Sequence, residues 1–365
     1  MKLVCPRAEL TKAVSLAASA VSTKSSLPVL NNLLFEVDKN GLVVTGTDLE
    51  IGLRCRVKVE VIEPGAITIP AKKMTEILRE LEEGEVELSS DGNKAELKAD
   101  KNTFRLPGIA AEDYPNFPSY RKEKSVTLPV ATLLAMIRKT SFSVSVDETR
   151  YVLQGALLQV AGKKARMVST DGHRLSFVEK EAEKSSEDMQ AVVPSKALAE
   201  LAKVLEGSDG SVTVYFTDNQ LFVELGEVTL FSRLIDGQFP NYEQVIPKKN
   251  ELSFTAETEA LAKAAKRVAV MAQDKGNSIK LSLKENSLEI SAATPDLGEA
   301  QGELDVAYKG GAITMAFNAR YLLDVLKSLE SERVEVRMST PLSPCLVGPE
   351  GGDGSSKYVI MPMRT

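Results

Sequence analysis

The sequence of 365 residues contains no tryptophan, one histidine and three cysteines. The cysteines, Cys5, Cys55 and Cys345, show no C-x-x-C spacing and are odd in number, so we expect no disulfide framework and no bound metal. No apolar run reaches the length that spans a bilayer, and Arg7 and Glu9 interrupt the one stretch that could pass for a signal peptide. These absences predict a cytoplasmic protein with reduced thiols and no membrane partner.

Motifs for nucleotide binding are also missing. The sequence has no G-x-x-x-x-G-K-[ST] loop and no G-x-G-x-x-G after a strand, so we expect no cofactor. The single histidine, His173, lies near Ser169 and Asp171 and could be imagined as part of a hydrolase triad. Residues at i, i+2 and i+4 share one strand and turn, however, whereas a triad converges from separate elements. We therefore predict no enzyme activity. The alternative role for His173 is that of a turn residue with a backbone partner.

One helical segment occurs three times at an interval of 124 residues: PAKKMTEILREL from Pro70, PSKALAELAKVL from Pro194 and NARYLLDVLKSL from Asn318. A second helical segment recurs at a similar interval. It begins at Pro6, Pro129 and Ala256. Apolar residues recur at i, i+3 or i+4 and i+7 in all six segments, so each helix buries one face. The interval is the size of a domain, which indicates one domain repeated three times.

Between the helices the apolar pattern switches to period two, as in GLVVTGTDLEIGLRCRVKVEV, with turn signals between the strands. Runs of strands with two helices per repeat predict an α+β fold in which the helices pack on one face of antiparallel sheet. We place the three domains at residues 1–122, 125–248 and 250–365, with boundaries in short charged stretches next to prolines.

The charge is unevenly distributed. The chain carries a net charge of −6, yet the six helical segments hold 14 Lys and Arg against 8 Asp and Glu. Most of these basic residues fall opposite the apolar stripe of their helix, although acidic residues such as Glu76 and Glu200 share that face. An ordinary solvated helix surface gives the same pattern. If the helices line one surface, it would contact phosphates and would not read base sequence.

Seven stretches together carry a resemblance to a known family. They are LPVLNNLLF (27–35), TGTDLE (45–50), RYVLQG (150–155), TDGHRLS (170–176), DGQFPNY (236–242), FNARYLLDVL (317–326) and YVIMPMR (358–364). In this order, on a threefold repeat, they make the chain resemble the bacterial sliding clamps, the β subunits of DNA polymerase III, over its whole length.

The resemblance implies a head-to-tail homodimer, closed as a ring of six DNA-clamp domains around duplex DNA without sequence preference. Such a ring is a non-catalytic processivity factor for DNA replication, opened by a clamp loader. The implied contact between subunits runs from Phe104 and Leu106 of one chain to Val270 and Met271 of the next. Residues expected to face DNA are Lys24, Lys72, Arg79, Lys139, Lys196, Lys203, Lys263 and Lys266.

The family also implies a hydrophobic cleft that binds peptide motifs of the replicative polymerase α subunit, the clamp loader and other clamp-binding proteins. Matched residue by residue, this cleft comprises Leu153, Thr170, Gly172, His173, Arg174, Leu175, Pro240, Val245, Asn318, Tyr321, Val359, Met361, Pro362, Met363 and Arg364. Gln244 stands where a basic residue is common and Gly276 where a bulky one can sit, so peptide preference could differ. A monomeric peptide-binding scaffold that encircles nothing is the alternative function.

Overall fold

The protein is described here by a computed structural model, which covers residues 1–22, 26–272, 276–295 and 297–364. Three consecutive stretches of the chain contain equivalent elements. The first stretch contains β1 (Lys2–Pro6), α1 (Arg7–Ser19), β2 (Asn32–Asp38), β3 (Gly41–Thr47), β4 (Ile51–Val57), β5 (Glu60–Glu63), β6 (Gly65–Pro70), α2 (Ala71–Glu80), β7 (Glu85–Asp91), β8 (Lys94–Ala99) and β9 (Asn102–Pro107).

The second and third stretches repeat this order. The second contains β10 (Ser125–Pro129), α3 (Val130–Thr140), β11 (Gly155–Ala161), β12 (Lys164–Thr170), β13 (Arg174–Glu181), β14 (Lys184–Ser185), β15 (Met189–Pro194), α4 (Ser195–Leu205), β16 (Ser211–Phe216), β17 (Gln220–Leu225) and β18 (Val228–Arg233). The third contains β19 (Leu252–Glu257), α5 (Thr258–Ala269), β20 (Ser278–Lys284), β21 (Ser287–Thr294), β22 (Gly298–Asp305), β23 (Ala307–Tyr308), β24 (Ile313–Asn318), α6 (Ala319–Ser328), β25 (Arg333–Met338), β26 (Cys345–Pro349) and β27 (Ser356–Ile360).

The chain divides into two compact units. The first comprises Met1–Ala131, Ala182–Met189 and Lys196–Leu234, and the second comprises Thr132–Glu181, Gln190–Ser195 and Ile235–Thr365. The first unit contains a five-stranded sheet in the order β5-β1-β7-β8-β9 and a nine-stranded sheet in the order β14-β10-β16-β17-β18-β4-β3-β2-β6. The second unit contains a nine-stranded sheet in the order β15-β11-β12-β13-β27-β26-β25-β19-β23 and a four-stranded sheet in the order β22-β21-β20-β24.

Each nine-stranded sheet joins two repeats through one antiparallel strand pair. In the first unit β18 pairs with β4, with Leu230 opposite Leu53. In the second unit β13 pairs with β27, with Ser176 opposite Tyr358. Because both sheets run without a break from one repeat into the next, the division into compact units falls inside the middle repeat and not between repeats. We call these two strand pairs the first joint and the second joint.

The helices pack by their apolar stripes, as the sequence predicts. In the first unit α1 and α2 lie against each other over a core that includes Leu10, Val14, Met74 and Leu78. In the second unit α5 and α6 do the same over Leu261, Ala264, Leu322 and Val325. Burying one face of each helix stabilises the fold at roughly 25 cal/mol per Å² of apolar surface removed from water.

The α+β class with antiparallel strands and two helices per repeat is confirmed. The helices begin one or two residues later than the predicted segments because a proline precedes several of them, at Pro6, Pro70 and Pro194, and belongs to the preceding strand. Short 3₁₀ helices, which the period-two and helical patterns do not signal, occur at Pro28–Asn31, Ala111–Asp113, Ser141–Ser143, Tyr151–Gln154 and Tyr242–Gln244. The exact domain boundaries stay a prediction.

In the part of the chain that the structure describes, no helix is both long and apolar enough to cross a membrane.

The close packing of α1 on β3 makes a prediction about Gly46. A Cβ at this position would lie 2.0 Å from the carbonyl oxygen of Ala17 and 2.9 Å from Leu33 Cδ2. We expect Gly46→Ala to lower the free energy of unfolding by about 3 kcal/mol or more, because helix backbone cannot move aside as a side chain can. Urea unfolding followed by circular dichroism measures this.

Gly311→Ala is the control, since a Cβ there meets no described atom within 4 Å. We expect the control to change stability by less than about 0.5 kcal/mol. Equal stability of the two variants would contradict the close approach of α1 to β3.

Candidate functional site

The turn between β12 and β13 forms one wall of the candidate site. Gly172 adopts a φ of +86°, which favours glycine, and the turn is fixed by Asp171. Oδ1 of Asp171 accepts hydrogen bonds from the backbone N–H groups of His173 (2.9 Å) and Arg174 (3.0 Å). The Thr170 hydroxyl adds a bond to the Arg174 carbonyl oxygen at 2.6 Å. The turn therefore holds His173 exposed at a defined position.

Arg174 connects this turn to α6. Its side chain is 7% exposed and donates from Nε to Asp171 Oδ2 (3.0 Å) and from Nη1 to Asp324 Oδ2 (2.6 Å). Nη2 donates to the carbonyl oxygen of Phe142, and the guanidinium lies 4.4 Å from the centre of the Tyr321 ring. This buried guanidinium donates from all three of its nitrogens and so ties the turn to α6, and we call it the Arg174 hub.

The second wall comes from α6 and the C-terminal strand. Asn318 caps α6, with Oδ1 accepting from the N–H of Arg320 at 2.9 Å and of Tyr321 at 3.4 Å. The Tyr321 ring stacks on His173, with 6.4 Å between ring centres and 19° between ring planes. Burial raises the pKa of the Tyr321 hydroxyl, so it stays neutral at physiological pH.

The residues after β27 line the same region. The Met361 N–H donates to the His173 carbonyl oxygen (2.9 Å), and the Met363 N–H donates to the Ala316 carbonyl oxygen (2.7 Å). Met361, Pro362 and Met363 are all half-buried. Backbone bonds thus hold two flexible, polarisable methionine side chains beside the His173 turn, which suits a surface that accepts several related apolar motifs.

Not all predicted cleft residues reach the surface. Leu175 and Val359 are 2% and 0% exposed and belong to the core beneath the site. The segment after β18 also contains both exposed and buried residues. Pro240 and Val245 are exposed, whereas Phe239 and Tyr242 are buried in that core. The exposed or half-buried members that can contact a ligand are Leu153, Thr170, Gly172, His173, Pro240, Val245, Asn318, Tyr321, Met361, Pro362, Met363 and Arg364.

The possible triad does not form. The Ser169 hydroxyl is fully buried and donates to the Thr140 carbonyl oxygen, while the Asp171 carboxylate is occupied by Arg174 and by the backbone of its own turn. His173 stacks on Tyr321 and does not bridge the other two side chains.

The residues predicted to face DNA differ in their surroundings. Lys72, Arg79, Lys203, Lys263 and Lys266 are exposed, as predicted for an outward helix face. Lys72, Lys203 and Lys263 also form ion pairs with carboxylates of their own helices. Lys196 and Lys139 pair with residues outside their helices, since Lys196 Nζ contacts Asp48 Oδ2 and the half-buried Lys139 Nζ lies 2.9 Å from Glu330 Oε2. Lys24 lies outside the described residues.

The expectation for Glu200 was wrong. Its side chain is 9% exposed and does not lie on the solvated face of α4, although it pairs with Lys203 at 2.8 Å.

The residues predicted for the subunit contact lie on a sheet edge in the first repeat and just after a helix in the third. Phe104 and Leu106 lie on β9, the edge strand of the five-stranded sheet, and pack partly on the core of the first unit. Met271 follows α5 and packs partly on the core of the second unit, whereas Val270 is 64% exposed. An exposed valine beside a half-buried methionine is what a further packing partner would cover.

Sequence reasoning missed that Asp171, Asp324 and Phe142 hold Arg174 in place. Asp324 is 150 positions from Arg174 in the chain, so no local pattern connects them.

Three tandem α+β repeats, joined by shared sheets and with apolar and aromatic side chains at the surface beside the His173 turn, have the architecture of the DNA clamps. The sequence matches the N-terminal domain of the DNA polymerase III beta subunit at residues 1–118, its central domain at 127–241 and its C-terminal domain at 243–364. The chain belongs to this family, the bacterial beta sliding clamps, which are non-catalytic processivity factors of DNA replication.

Individual relatives match the sequence of this chain over their full length. The beta sliding clamp of Escherichia coli strain K12 is 35% identical and that of Pseudomonas putida strain KT2440 is 37% identical, each with 100% of both chains covered. Among solved structures, the Pseudomonas aeruginosa sliding clamp bound to griselimycin gives a TM-score of 0.96 at 36% identity, with 100% of both chains covered. The Bacillus subtilis clamp gives 0.96 at 28% identity, with 100% of this chain and 99% of that chain covered.

The Arg174 hub makes a prediction about stability. We expect Arg174→Gln to lower the free energy of unfolding of this region by about 3 kcal/mol, because it leaves the partly buried Asp171 and Asp324 carboxylates without their cation. Thermal unfolding followed by calorimetry measures the loss.

Arg320→Gln is the matched control. Arg320 lies 3.9 Å from the same Asp324 oxygen but is 78% exposed. Because exposed pairs contribute about 0–1 kcal/mol, the control should unfold close to wild type. Equal loss in both variants would show that burial does not set the strength of the hub.

Proposed function

We propose that two copies of this chain close head to tail into a ring around duplex DNA and tether replication proteins through the groove beside His173. The observation that carries this is that the chain forms fewer joints than a closed ring of repeats needs. Three repeats in a ring need a joint after each repeat, but within the residues that the structure describes the chain forms only the first joint and the second joint. The third must come from another copy.

The strands for that third joint are present and unpaired on one side. Each joint uses the strand equivalent to β4 from one repeat and the strand equivalent to β18 from the next. In the third repeat the equivalent of β4 is β22, and in the first repeat the equivalent of β18 is β9. Both are edge strands of their sheets in the described residues. A free edge is a template for pairing, and a head-to-tail contact that closes gives a ring.

The helix surfaces support contact with a polyanion. Lys263 and Lys266 are exposed on α5, and Lys72 and Arg79 are exposed on α2. Neighbouring carboxylates moderate this charge, since Lys263 Nζ lies 2.6 Å from Glu259 Oε1. Weak contact to phosphates falls off steeply with salt, whereas encirclement does not. A ring can therefore stay on DNA and still slide, even when the chain carries a net charge of −6.

The groove supports partner binding. Its accessible part combines aromatic, methionine and aliphatic side chains with few free charges, which suits short apolar motifs of the polymerase α subunit, the clamp loader and other clamp-binding proteins. A Pseudomonas aeruginosa relative has been crystallised with griselimycin, so a clamp of this fold does take a small ligand. We further infer a cytoplasmic location and domains at residues 1–122, 125–248 and 250–365.

The ring makes a prediction about mass in solution. We expect wild-type protein to sediment at twice the chain mass of 39.5 kDa and to appear as closed rings by negative-stain electron microscopy. Val270→Glu should split the dimer, because a charge would be buried without a partner at the joint. Analytical ultracentrifugation measures the change.

Val146→Glu is the matched control, since Val146 is 96% exposed and belongs to no predicted contact. It should leave the mass unchanged. A monomeric wild type at micromolar concentration would favour the alternative of a scaffold that encircles nothing.

The groove makes a separate prediction about peptide affinity. We expect Val245→Asp to weaken binding of a labelled peptide from the tail of the polymerase α subunit by about tenfold or more, because an apolar motif would have to desolvate the new carboxylate. Fluorescence anisotropy measures the affinity. Leu342→Asp, at a side chain that is 61% exposed and outside the groove, is the control. Unchanged affinity in Val245→Asp would remove that residue from the site.

A further inference from the structure

The turns that lead into β4 and β13 are built from the same hydrogen bonds. Before β4, the Thr47 hydroxyl donates to the Ile51 carbonyl oxygen at 2.7 Å. Before β13, the Thr170 hydroxyl donates to the Arg174 carbonyl oxygen at 2.6 Å. In each turn the aspartate after the threonine accepts, through Oδ1, from the N–H groups two and three residues further on. Ile51 and Arg174 therefore occupy equivalent places and differ only in chemistry.

The second helix of the following repeat carries a carboxylate at its sixth residue in both cases, Glu200 in α4 and Asp324 in α6. Asp324 accepts a hydrogen bond from Arg174 at 2.6 Å. Glu200 pairs with Lys203 of its own helix, and its Oε2 accepts no hydrogen bond from the described residues. Ile51, the equivalent of Arg174, carries no charge and is 2% exposed. The first joint thus forms without an equivalent of the Arg174 hub, so joining two repeats does not require one.

The Arg174 hub instead contacts both walls of the groove. Its guanidinium lies 4.4 Å from the centre of the Tyr321 ring, and that ring stacks on His173. Its Nε donates to Asp171 Oδ2, while Oδ1 of the same carboxylate accepts from the His173 N–H. The position of Arg174 therefore sets how the His173 turn lies against Tyr321. Asp324 holds Arg174 from the side of α6.

The Asp324 carboxylate also reaches the surface between α5 and α6. There it lines a cavity of about 910 Å³ together with Lys263 and Lys266, which are predicted to face DNA. Arg320, 78% exposed on α6, has its Nε 3.9 Å from Asp324 Oδ2, the oxygen that Arg174 also contacts. One carboxylate oxygen is therefore shared between a buried guanidinium and an exposed one.

We propose that Asp324 couples DNA in the ring to the affinity of the groove for its peptide motifs. Without a polyanion nearby, Arg320 competes with Arg174 for the shared oxygen. A backbone phosphate attracts Arg320 away, and Asp324 is then left to Arg174 alone. The two walls of the groove are held more firmly, and the peptide binds more tightly. Asp324 is thus a positioning residue that acts through Arg174.

This coupling rests on the proposed ring and adds how its two ligands influence each other. Because ion pairs of exposed side chains are weak, the coupling is a modest one, and we expect a factor of about three in affinity. Linkage requires the effect to be reciprocal, so the peptide must tighten the binding of duplex DNA by the same factor.

Fluorescence anisotropy tests the coupling with a labelled peptide from the tail of the polymerase α subunit. Its affinity is measured with and without a short blunt duplex, at low salt so that phosphate contacts are little screened. We expect the duplex to tighten peptide binding to the wild type about threefold. A labelled duplex with unlabelled peptide gives the reciprocal measurement.

Two variants separate the cations that share the oxygen. Arg320→Gln removes the competitor, so it should bind the peptide about threefold more tightly without DNA and lose the response to the duplex. Asp324→Asn keeps the shape of the side chain but not its charge, so it should bind the peptide about fivefold more weakly and also lose the response. Asp324→Glu restores the charge and should recover the response, which a purely structural role would not predict.

Glu200→Gln is the matched control, because it changes the equivalent carboxylate at the joint that has no hub. It should keep the peptide affinity and the response of the wild type. Each variant is first shown to have the dimer mass by ultracentrifugation and the wild-type circular dichroism spectrum.

The outcomes distinguish the coupling from the ring itself. A duplex that binds the wild type without changing its peptide affinity would overturn the coupling and leave the ring intact. An Arg320→Gln variant that responds as the wild type does would overturn it too, because Arg320 would then not carry the effect. A wild type that is monomeric, or that binds no duplex at low salt, would overturn the proposed function and the coupling with it.

Discussion

The architecture depends on one constraint, which is that the edge of a β-sheet must be paired or protected. Each repeat ends its sheets in strands with free backbone groups, and the chain satisfies these groups by pairing β18 with β4 and β27 with β13. The repeats therefore do not behave as separate globular bodies. The compact units of the structure are the joints with their flanking strands, and the middle repeat is shared between them. In a chain of three repeats this arrangement leaves β9 and β22 as sheet edges without a further strand among the described residues.

Much of this architecture could be predicted from the sequence. The recurrence of a helical segment at Pro70, Pro194 and Asn318 reveals the repeat, and the change from helical to alternating periodicity reveals the α+β class, because both signals are local. The joints could not be predicted in this way. Pairing Leu230 with Leu53 brings together strands that are far apart in sequence, and an edge strand has the same alternating pattern as a central one.

The site beside His173 could also be predicted only in part. Resemblance to the family predicted the residues of this site, and their roles in binding stay a prediction. The sequence could not show which of these residues are exposed and which are buried. Leu175 and Val359 lie on the second joint itself and are buried by it, so they support the groove from below. Arg174, whose charge suggests a ligand contact, is occupied by two carboxylates and a carbonyl oxygen.

The two kinds of joint serve two different requirements. A joint within the chain never needs to open, so an apolar outer face under Phe117 or Tyr242 is an advantage, and the covering segment is the covalent connection itself. A joint between copies must open to admit DNA and close again in water. An outer face of exposed charges loses little solvation when it opens, whereas an apolar face would attract other proteins each time. Arg105 on β9 and the carboxylates of β22 make these edges, which are unpaired in the described residues, charged and exposed, and charge on an unpaired edge discourages pairing with other proteins.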